Sequence, residues 1–322
     1  MTSELRIGLV GGGRLAELGY LPALRAAGGV RLTAVAELDP GRRGRMVGLT
    51  GVPAHRDAAA LLAAEPVDAL VVATPAAAHL ADARLAAAAG LPALVEKPPA
   101  ADLAEARELA ALTPAPWIGF NRRFTGAVAG LRASVPGGAP VGLRLEIGYR
   151  RGGWAAHTAA DDALLDLGPH LVDLARWLTR AEVTGVRRAT VAAERAEFDL
   201  LLGPARARIR CATDRPHREL IDIRHRDGDR VGRDRRGGLL AAVRGRLRPA
   251  TGPHPLAASL TAQLEAFARA VRGADEPALG RAGDGVAVMA ALAAVRASAA
   301  DGGREVAVDA LHHPPAGARR ER

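Results

Sequence analysis

Leu5 to Val10 is a short apolar run closed by Gly11, Gly12 and Gly13, and Leu15 to Ala27 follows at helical spacing with few breakers. A strand, a glycine turn and a helix in immediate succession leave few folds open. Strand-like runs recur at Arg31 to Ala36, Ala69 to Val72 and Ala93 to Val95, separated by alanine- and leucine-rich stretches that suit helices. Such alternation predicts an α/β domain built on a parallel, doubly wound sheet. After about Trp117 the pattern changes. A helical segment near Asn121 to Ala133, a strand near Val141 to Tyr149 and an amphipathic segment from Ala163 to Leu178 lead into strands near Val183 to Ala192, Ala196 to Leu202, Ala205 to Cys211 and Glu219 to Arg226. Short turn signals between the last four predict an antiparallel sheet. Two helices, about Leu256 to Val271 and Gly283 to Ala299, precede a tail from Pro314 to Arg322 that is expected to be disordered. The expected division is an α/β domain over 1–120, an α+β domain over 121–311 and the tail over 312–322.

Gly11, Gly13 and Ala16 form G-x-G-x-x-A, placed after the first strand and opening the first helix. The first glycine permits the tight turn, the second admits a pyrophosphate to the backbone, and the small third residue lets helix and strand pack. The motif alone is weak. Glu37 strengthens it, standing at the end of the second strand about twenty residues on, where a carboxylate accepts hydrogen bonds from the adenine ribose hydroxyls. A carboxylate there repels a 2'-phosphate and favours NAD; Arg42 and Arg43 close behind keep NADP open, although they also suit a solvated helix start.

Two further loops fall at the carboxyl ends of strands, where doubly wound sheets collect ligands. Ala73-Thr74-Pro75 ends the strand from Ala69, with His79 one turn into the next helix, and Val95-Glu96-Lys97-Pro98 ends the following strand. Of the 44 basic residues, Lys97 is the only lysine; the rest are arginine. Guanidinium stays protonated at any accessible pH, whereas an ammonium can be moved toward neutrality and exchange a proton, so the retained lysine points to chemistry rather than to an ordinary surface cation.

A third constellation is Asp166-Leu167-Gly168-Pro169-His170-Leu171-Val172-Asp173. On a helix, Asp166 and His170 share one face a turn apart, which suits an imidazole that moves a proton. The plainer alternative is a helix start capped by Asp161 or Asp162 with His170 in the core, and Pro169 is expected to disturb the spacing.

The net charge of +9 is concentrated in residues 201–250, which hold fourteen arginines against six acidic groups. Arg206, Arg208 and Arg210, and again Arg224 and Arg226, recur at every second position, so they are expected on the solvent side of a strand. Aromatic residues to stack bases are missing there, so nucleic acid is not the expected partner. No apolar run approaches the ~20 residues of a membrane span. Met1 to Leu5 carry no export pattern, and the one cysteine, Cys211, excludes an intramolecular disulfide and a multi-thiolate metal site. A soluble cytoplasmic protein without a metal is the expectation.

The order of G-x-G-x-x-A, Ala-Thr-Pro, Glu96-Lys97-Pro98, Gly119-Phe120-Asn121-Arg122-Arg123-Phe124 and Asp166-x-x-x-His170-x-x-Asp173 resembles the Gfo/Idh/MocA oxidoreductase family, and the resemblance extends to Gln263, Phe267, Asp284, Ser298 and a last strand at Val306 to Val308. It implies an N-terminal Rossmann dinucleotide-binding domain followed by an α+β domain with a large, mainly antiparallel open sheet that often serves as an oligomer interface. It also implies a tightly held NAD, with NADP as the alternative, and oxidation of a sugar or cyclitol hydroxyl or reduction of the ketone. Lys97, Asp166 and His170 match the catalytic positions. Gly11, Gly13, Arg14, Leu15, Glu37, Ala73, Thr74, Pro75, His79, Glu96, Lys97, Asn121 and Arg123 are the expected cofactor contacts, and Trp154, with Asp166 and His170, the expected substrate contact. Two departures bear on the substrate: Ala160-Asp161-Asp162 replaces glycines before the Asp-x-x-x-His helix, and Ala76 replaces a polar asparagine after Thr-Pro. Three other activities suit the same residues: elimination or glycoside cleavage with resident NAD, C=N or C=C reduction, and sensing of dinucleotide or sugar without turnover.

Overall fold

Why the glycine turn and Lys97 end up on one edge follows from strand register. The computed structural model describes residues 4–151, 162–237 and 255–308. Strands β1 (Leu5–Val10), β2 (Val30–Ala36), β3 (Ala54–His55), β4 (Ala69–Val72), β5 (Ala93–Val95) and β6 (Trp117–Ile118) pair in parallel, and a short late strand, β13 (Gly280–Arg281), adds antiparallel to β6. The seven-stranded order is β13-β6-β5-β4-β1-β2-β3. Val10 lies opposite Ala36 and Val72, and Val72 opposite Val95. The residues that follow, Gly11, Glu37, Ala73 and Glu96, therefore leave the sheet at one level, around the point between β1 and β4 where strand order reverses and ligands bind in folds of this kind. This is the Rossmann topology that the sequence leads one to expect.

Helices α2 (Pro40–Thr50), α3 (Ala58–Ala64), α4 (Ala76–Ala88) and α5 (Leu103–Ala110) connect these strands. The first connection is not a plain α-helix. Ala16–Tyr20 is π-helical, with the Leu21 amide donating to the Ala16 carbonyl, before α1 (Leu21–Ala26). Pro22 explains it: the ring lacks an N–H and would clash with the carbonyl four residues back, which the wider turn relieves. Tyr20 is fully buried there.

The chain divides into two compact units, 1–126 with 251–286, and 127–250 with 287–322. This corrects the expected division. Helix α8 (Pro255–Val271), expected in the second domain, places Leu260, Leu264 and Phe267 in one core with Ile7, Leu9, Tyr20 and Leu24. Its apolar positions recur at helical spacing and form a stripe that packs into this core.

In the second unit, helix α6 (Gly126–Ser134) leads to β7 (Val141–Arg150), and α7 (Ala163–Thr179) precedes β8 (Gly185–Val191), β9 (Arg195–Leu202), β10 (Ala205–Ala212), β11 (Asp214–His225), β12 (Arg230–Gly237) and a last β14 (Val306–Ala307). The seven strands lie in the order β12-β11-β7-β10-β9-β8-β14, antiparallel except for the parallel pair β7 and β10. Helix α7 buries Leu164, Leu167, Leu171, Leu174 and Leu178, and packs on β7, β9 and β10, whose inner positions include Leu143, Leu145, Phe198 and Ile209. It runs through Pro169 without a break. Strand β12 escaped the sequence reading because Arg230–Gly237 holds a single aliphatic residue, Val231, and so shows no apolar alternation.

Helix α9 (Ala282–Ala300) is, by length and composition, apolar enough to cross a membrane, which the run-length reading missed because Asp284 and Arg296 bound its apolar stretch; most of it is buried inside the protein. Trp154, Asp161 and the tail from Pro314 lie outside the described residues.

Candidate active site

At the glycine turn each residue answers to a different constraint. Gly11 has φ +101°, and a Cβ there would lie 2.6 Å from the Ala73 carbonyl oxygen. A side chain at Gly12 would collide with Met46 and Glu37, whereas a Cβ on Gly13 would meet nothing within 4 Å. The space over Gly13 is open, so a phosphate can approach its backbone closely. Ala16 is fully buried, as the packing role requires. Arg14 is exposed and Leu15 partly covers the core beside this turn.

Glu37 closes the same edge from β2. Its Oε2 accepts from the Gly12 amide at 2.7 Å, and its Oε1 from the Asp39 amide and the Arg42 guanidinium, each at 2.8 Å. Burial pushes this carboxyl up, but the hydrogen bonds from Arg42, Asp39 and Gly12 outweigh it and hold Glu37 below its ordinary range. Arg42 is thus the partner of Glu37, and Arg43 donates to the Glu37 and Leu38 carbonyls.

Lys97 is half-buried at the end of β5, and a buried relay holds its backbone. The Tyr20 hydroxyl donates to Glu96 Oε1 at 2.6 Å, and Glu96 Oε2 accepts from the Lys97 amide at 3.0 Å. Burial pushes up both the Glu96 carboxyl and, strongly, the Tyr20 phenol. Gly119 gives this carboxyl room, since a Cβ there would lie 3.1 Å from it. His79 is 1% exposed, and its two ring nitrogens lie 2.9 Å from the Pro98 carbonyl and 2.8 Å from that of Thr74. It ties the Ala73-Thr74-Pro75 loop to the Lys97-Pro98 turn, while Thr74 Oγ1 donates to Asp82 at 2.8 Å.

Four of the expected cofactor contacts have internal partners for their side chains. Glu96 and His79 spend their polar atoms inside the protein and act on the loops only through backbone. Asn121 Nδ2 donates to Ser259 Oγ at 3.0 Å, and Arg123, 5% exposed, pairs with Asp284 at 3.2 Å and lies over the Phe120 ring. These two fasten the segment after β6 to the late helices, because buried polar groups need internal partners.

The second unit carries the other constellation. Asp162 caps α7, its side chain accepting from the Leu165 amide at 2.8 Å and pairing with Arg296 at 2.7 Å. Since the helix is unbroken, Asp166 and half-buried His170 do share a face one turn apart. The Tyr149 hydroxyl donates to Asp166 Oδ2, which also meets the Arg151 guanidinium at 3.2 Å. Neither residue was singled out from sequence; Tyr149 read only as the end of a strand, although polar Tyr-Arg-Arg closing an apolar strand was a usable signal. Cys211 is buried, and burial followed by the charges of Asp166 and Asp162 pushes its thiol far up, so it is no nucleophile.

Residues 5–115 match the oxidoreductase family with an NAD-binding Rossmann fold. Over this segment the chain is similar to the Gfo/Idh/MocA family. The chain is 29% identical over 199 residues to the rhizopine catabolism protein MocA of Rhizobium meliloti, covering 58% of this chain and 61% of that one. To inositol 2-dehydrogenase 4 of Saccharopolyspora erythraea it is 32% identical over 191 residues, 57% of this chain and 56% of that one. The match thus spans little more than half the length of these relatives. The crystal structure of scyllo-inositol dehydrogenase from Lactobacillus casei with bound NAD(H) and scyllo-inositol has the same fold, with a TM-score of 0.79 at 18% identity over 95% of this chain and all of that one.

Proposed function

We propose that this protein is a Gfo/Idh/MocA-type, NAD-dependent dehydrogenase acting on a secondary hydroxyl of a cyclitol or sugar. The observation that carries the reading is the position of Lys97: the one lysine of the chain follows β5 on the edge that also presents the glycine turn and Glu37. The relative named inositol 2-dehydrogenase 4 supports the substrate class. The open face of Gly13 fits a pyrophosphate and the Glu37 carboxylate fits a ribose diol, so Gly11 to Leu15, Glu37 and the Ala73 to Pro75 loop would hold the dinucleotide. Nicotinamide, when bound, supplies the acceptor for the hydride leaving the carbinol carbon. His170 takes the hydroxyl proton as general base, Asp166 orients the imidazole and stabilises its charged form, and Lys97 binds the reacting oxygen and offsets its developing charge. Arg42 guards against NADP by keeping Glu37 ionised in place.

The test is absorbance of NADH during a screen of inositols, other cyclitols, sugars and their ketones. Lys97→Ala and His170→Ala should each lower turnover by ~100-fold or more and leave NAD affinity within about threefold. Substrate consumption without NADH would overturn net oxidation in favour of elimination with resident cofactor, and unchanged turnover in both variants would remove the site assignment. The same reading includes a cytoplasmic homo-oligomer joined through the outer face of the second sheet; light scattering on Arg208→Glu, which should dissociate it, tests that part.

A further inference from the structure

The end of β7 delivers two side chains to one oxygen of Asp166, and the proposed reaction assigns neither a role. Tyr149 and Arg151 both donate to Oδ2, so the carboxylate is held at a fixed rotation from outside its own helix. A carboxylate one turn before an imidazole orients it but also favours its protonated form, and a protonated imidazole cannot take a proton from a hydroxyl. A phenol and a guanidinium on that carboxylate share its charge and weaken this pull.

We propose that Tyr149 and Arg151 are positioning residues that fix Asp166 and temper its field, so that His170 is oriented yet stays a proton acceptor at neutral pH; the catalytic half of this statement rests on the function proposed above. Burial, and then the hydrogen bond to Asp166, pushes the Tyr149 phenol well above its ordinary value, so it remains an O–H donor throughout the working range. Arg151 is half-buried and its guanidinium stays cationic, held by Tyr149 and Asp166 against the cost of burial. Among the described residues, the other ionisable groups at this end of α7 do not duplicate the pair. Asp162 is occupied by the Leu165 amide and Arg296 of α9. Asp173 is buried a turn beyond, Cys211 of β10 is a neutral thiol, and β9 meets the helix with buried Ala196, Phe198 and Leu200.

The decisive measurement is the titration of the His170 imidazole by NMR in the full chain, assigned by its loss in His170→Gln, because it needs no turnover. Tyr149→Phe and Arg151→Gln should each raise the His170 midpoint by about half to one pH unit, and Arg151→Lys by no more than about 0.3. With a substrate from the screen, the acid limb of kcat should move by the same amount, so that kcat well below the midpoint falls ~3–10-fold while KM for NAD is unchanged. A merely structural pair would alter kcat at all pH values and leave the midpoint where it was. A midpoint unmoved or lowered in Tyr149→Phe and Arg151→Gln overturns the proposal, whatever the activity; if one of the two fails to fold, the other decides. Should the wild-type chain oxidise nothing in the screen while the midpoint still rises, the positioning stands and the dehydrogenase reading falls.

Discussion

The two sheets of this protein use charge in opposite ways. In the first, β4 and β5 are apolar and buried along their whole length, and the polar groups gather beyond the strand ends, at Gly11, Glu37, Thr74 and Glu96. In the second, one face is apolar beneath α7 and the other is a lattice of arginines and carboxylates. Glu146 alone meets Arg144, Arg210 and Arg218, while Asp199 meets Arg188 and Arg208, and Asp222 meets Arg224 and Arg230. A sheet covered on both faces can place chemistry only at its edge; a sheet covered on one face spreads its polar groups over the other. Of the eleven arginines described in residues 201–237, seven pair with carboxylates, and for Arg208, Arg210, Arg218 and Arg230 the carboxylate lies on a neighbouring strand.

The largest effects should therefore come from the first sheet. Gly11→Ala forces a side chain into a backbone conformation with φ +101° and against the Ala73 carbonyl. It should cost about 3 kcal/mol or more and abolish NAD binding, read by urea denaturation and by calorimetric titration. Gly13→Ala, with no neighbour for its Cβ within 4 Å, should leave stability unchanged and weaken NAD alone. Equal losses of stability in the two would remove the distinction between the turn that folds the edge and the one that serves the ligand.

Leu70→Ala comes next. Leu70 is fully buried in β4, and its side chain fills the space over Gly8 beside Leu61 and Val67. Truncation should cost roughly 3 kcal/mol, the range for buried leucines whose surroundings cannot collapse.

Glu146→Gln probes the second sheet. Its side chain is 10% exposed, and its loss leaves three guanidiniums facing one another, which should cost about 1–2 kcal/mol at low salt. The penalty should shrink in ~0.5 M NaCl as the exposed arginines are screened, while that of Leu70→Ala should not. Thermal or urea unfolding at both salt concentrations distinguishes them.

A smaller and pH-bound effect belongs to Glu37. Its carboxyl is held below the unfolded value, so its contribution is complete above that value and is lost as pH falls through the lower, folded one. Unfolding of Glu37→Gln should accordingly be less sensitive to pH between about 5 and 3 than that of the wild type. A parallel pH dependence would mean that the Gly12, Asp39 and Arg42 contacts do not hold the ionised form.

How much of this was legible follows the same division. Strands such as Ala69–Val72 and Ala93–Val95 match the structure residue for residue, because a doubly buried strand must be an apolar run, and the glycine turn declared its own geometry. Strand β12 lay hidden because its partners are ionic rather than apolar, so hydrophobic period carries no signal there. The site was legible as residue types and illegible as contacts. Lys97 and Glu37 could be placed by strand end, but nothing in the sequence says that His79 faces two carbonyls, that Asn121 and Arg123 turn inward, or that Tyr149 and Arg151 reach Asp166. Those contacts join residues brought together by register and helix phase. The assignment of α8 to the first unit failed for a related reason: its apolar stripe announces a helix with one face to bury and does not name the surface that buries it.

The smallest predicted effect is also the one best able to break the contrast between the sheets. Arg208 stands on the outer face, 52% exposed, 3.7 Å from Asp199, a distance at which a screened pair contributes little. In an isolated chain, Arg208→Ala should change stability by no more than about 0.5 kcal/mol, measured as the shift in urea midpoint at unchanged slope. In the proposed homo-oligomer, where a second copy covers this face, the loss should instead exceed about 1.5 kcal/mol and grow with protein concentration. The second sheet would then, like the first, be buried on both sides, its arginine lattice serving as an interface rather than a solvated surface.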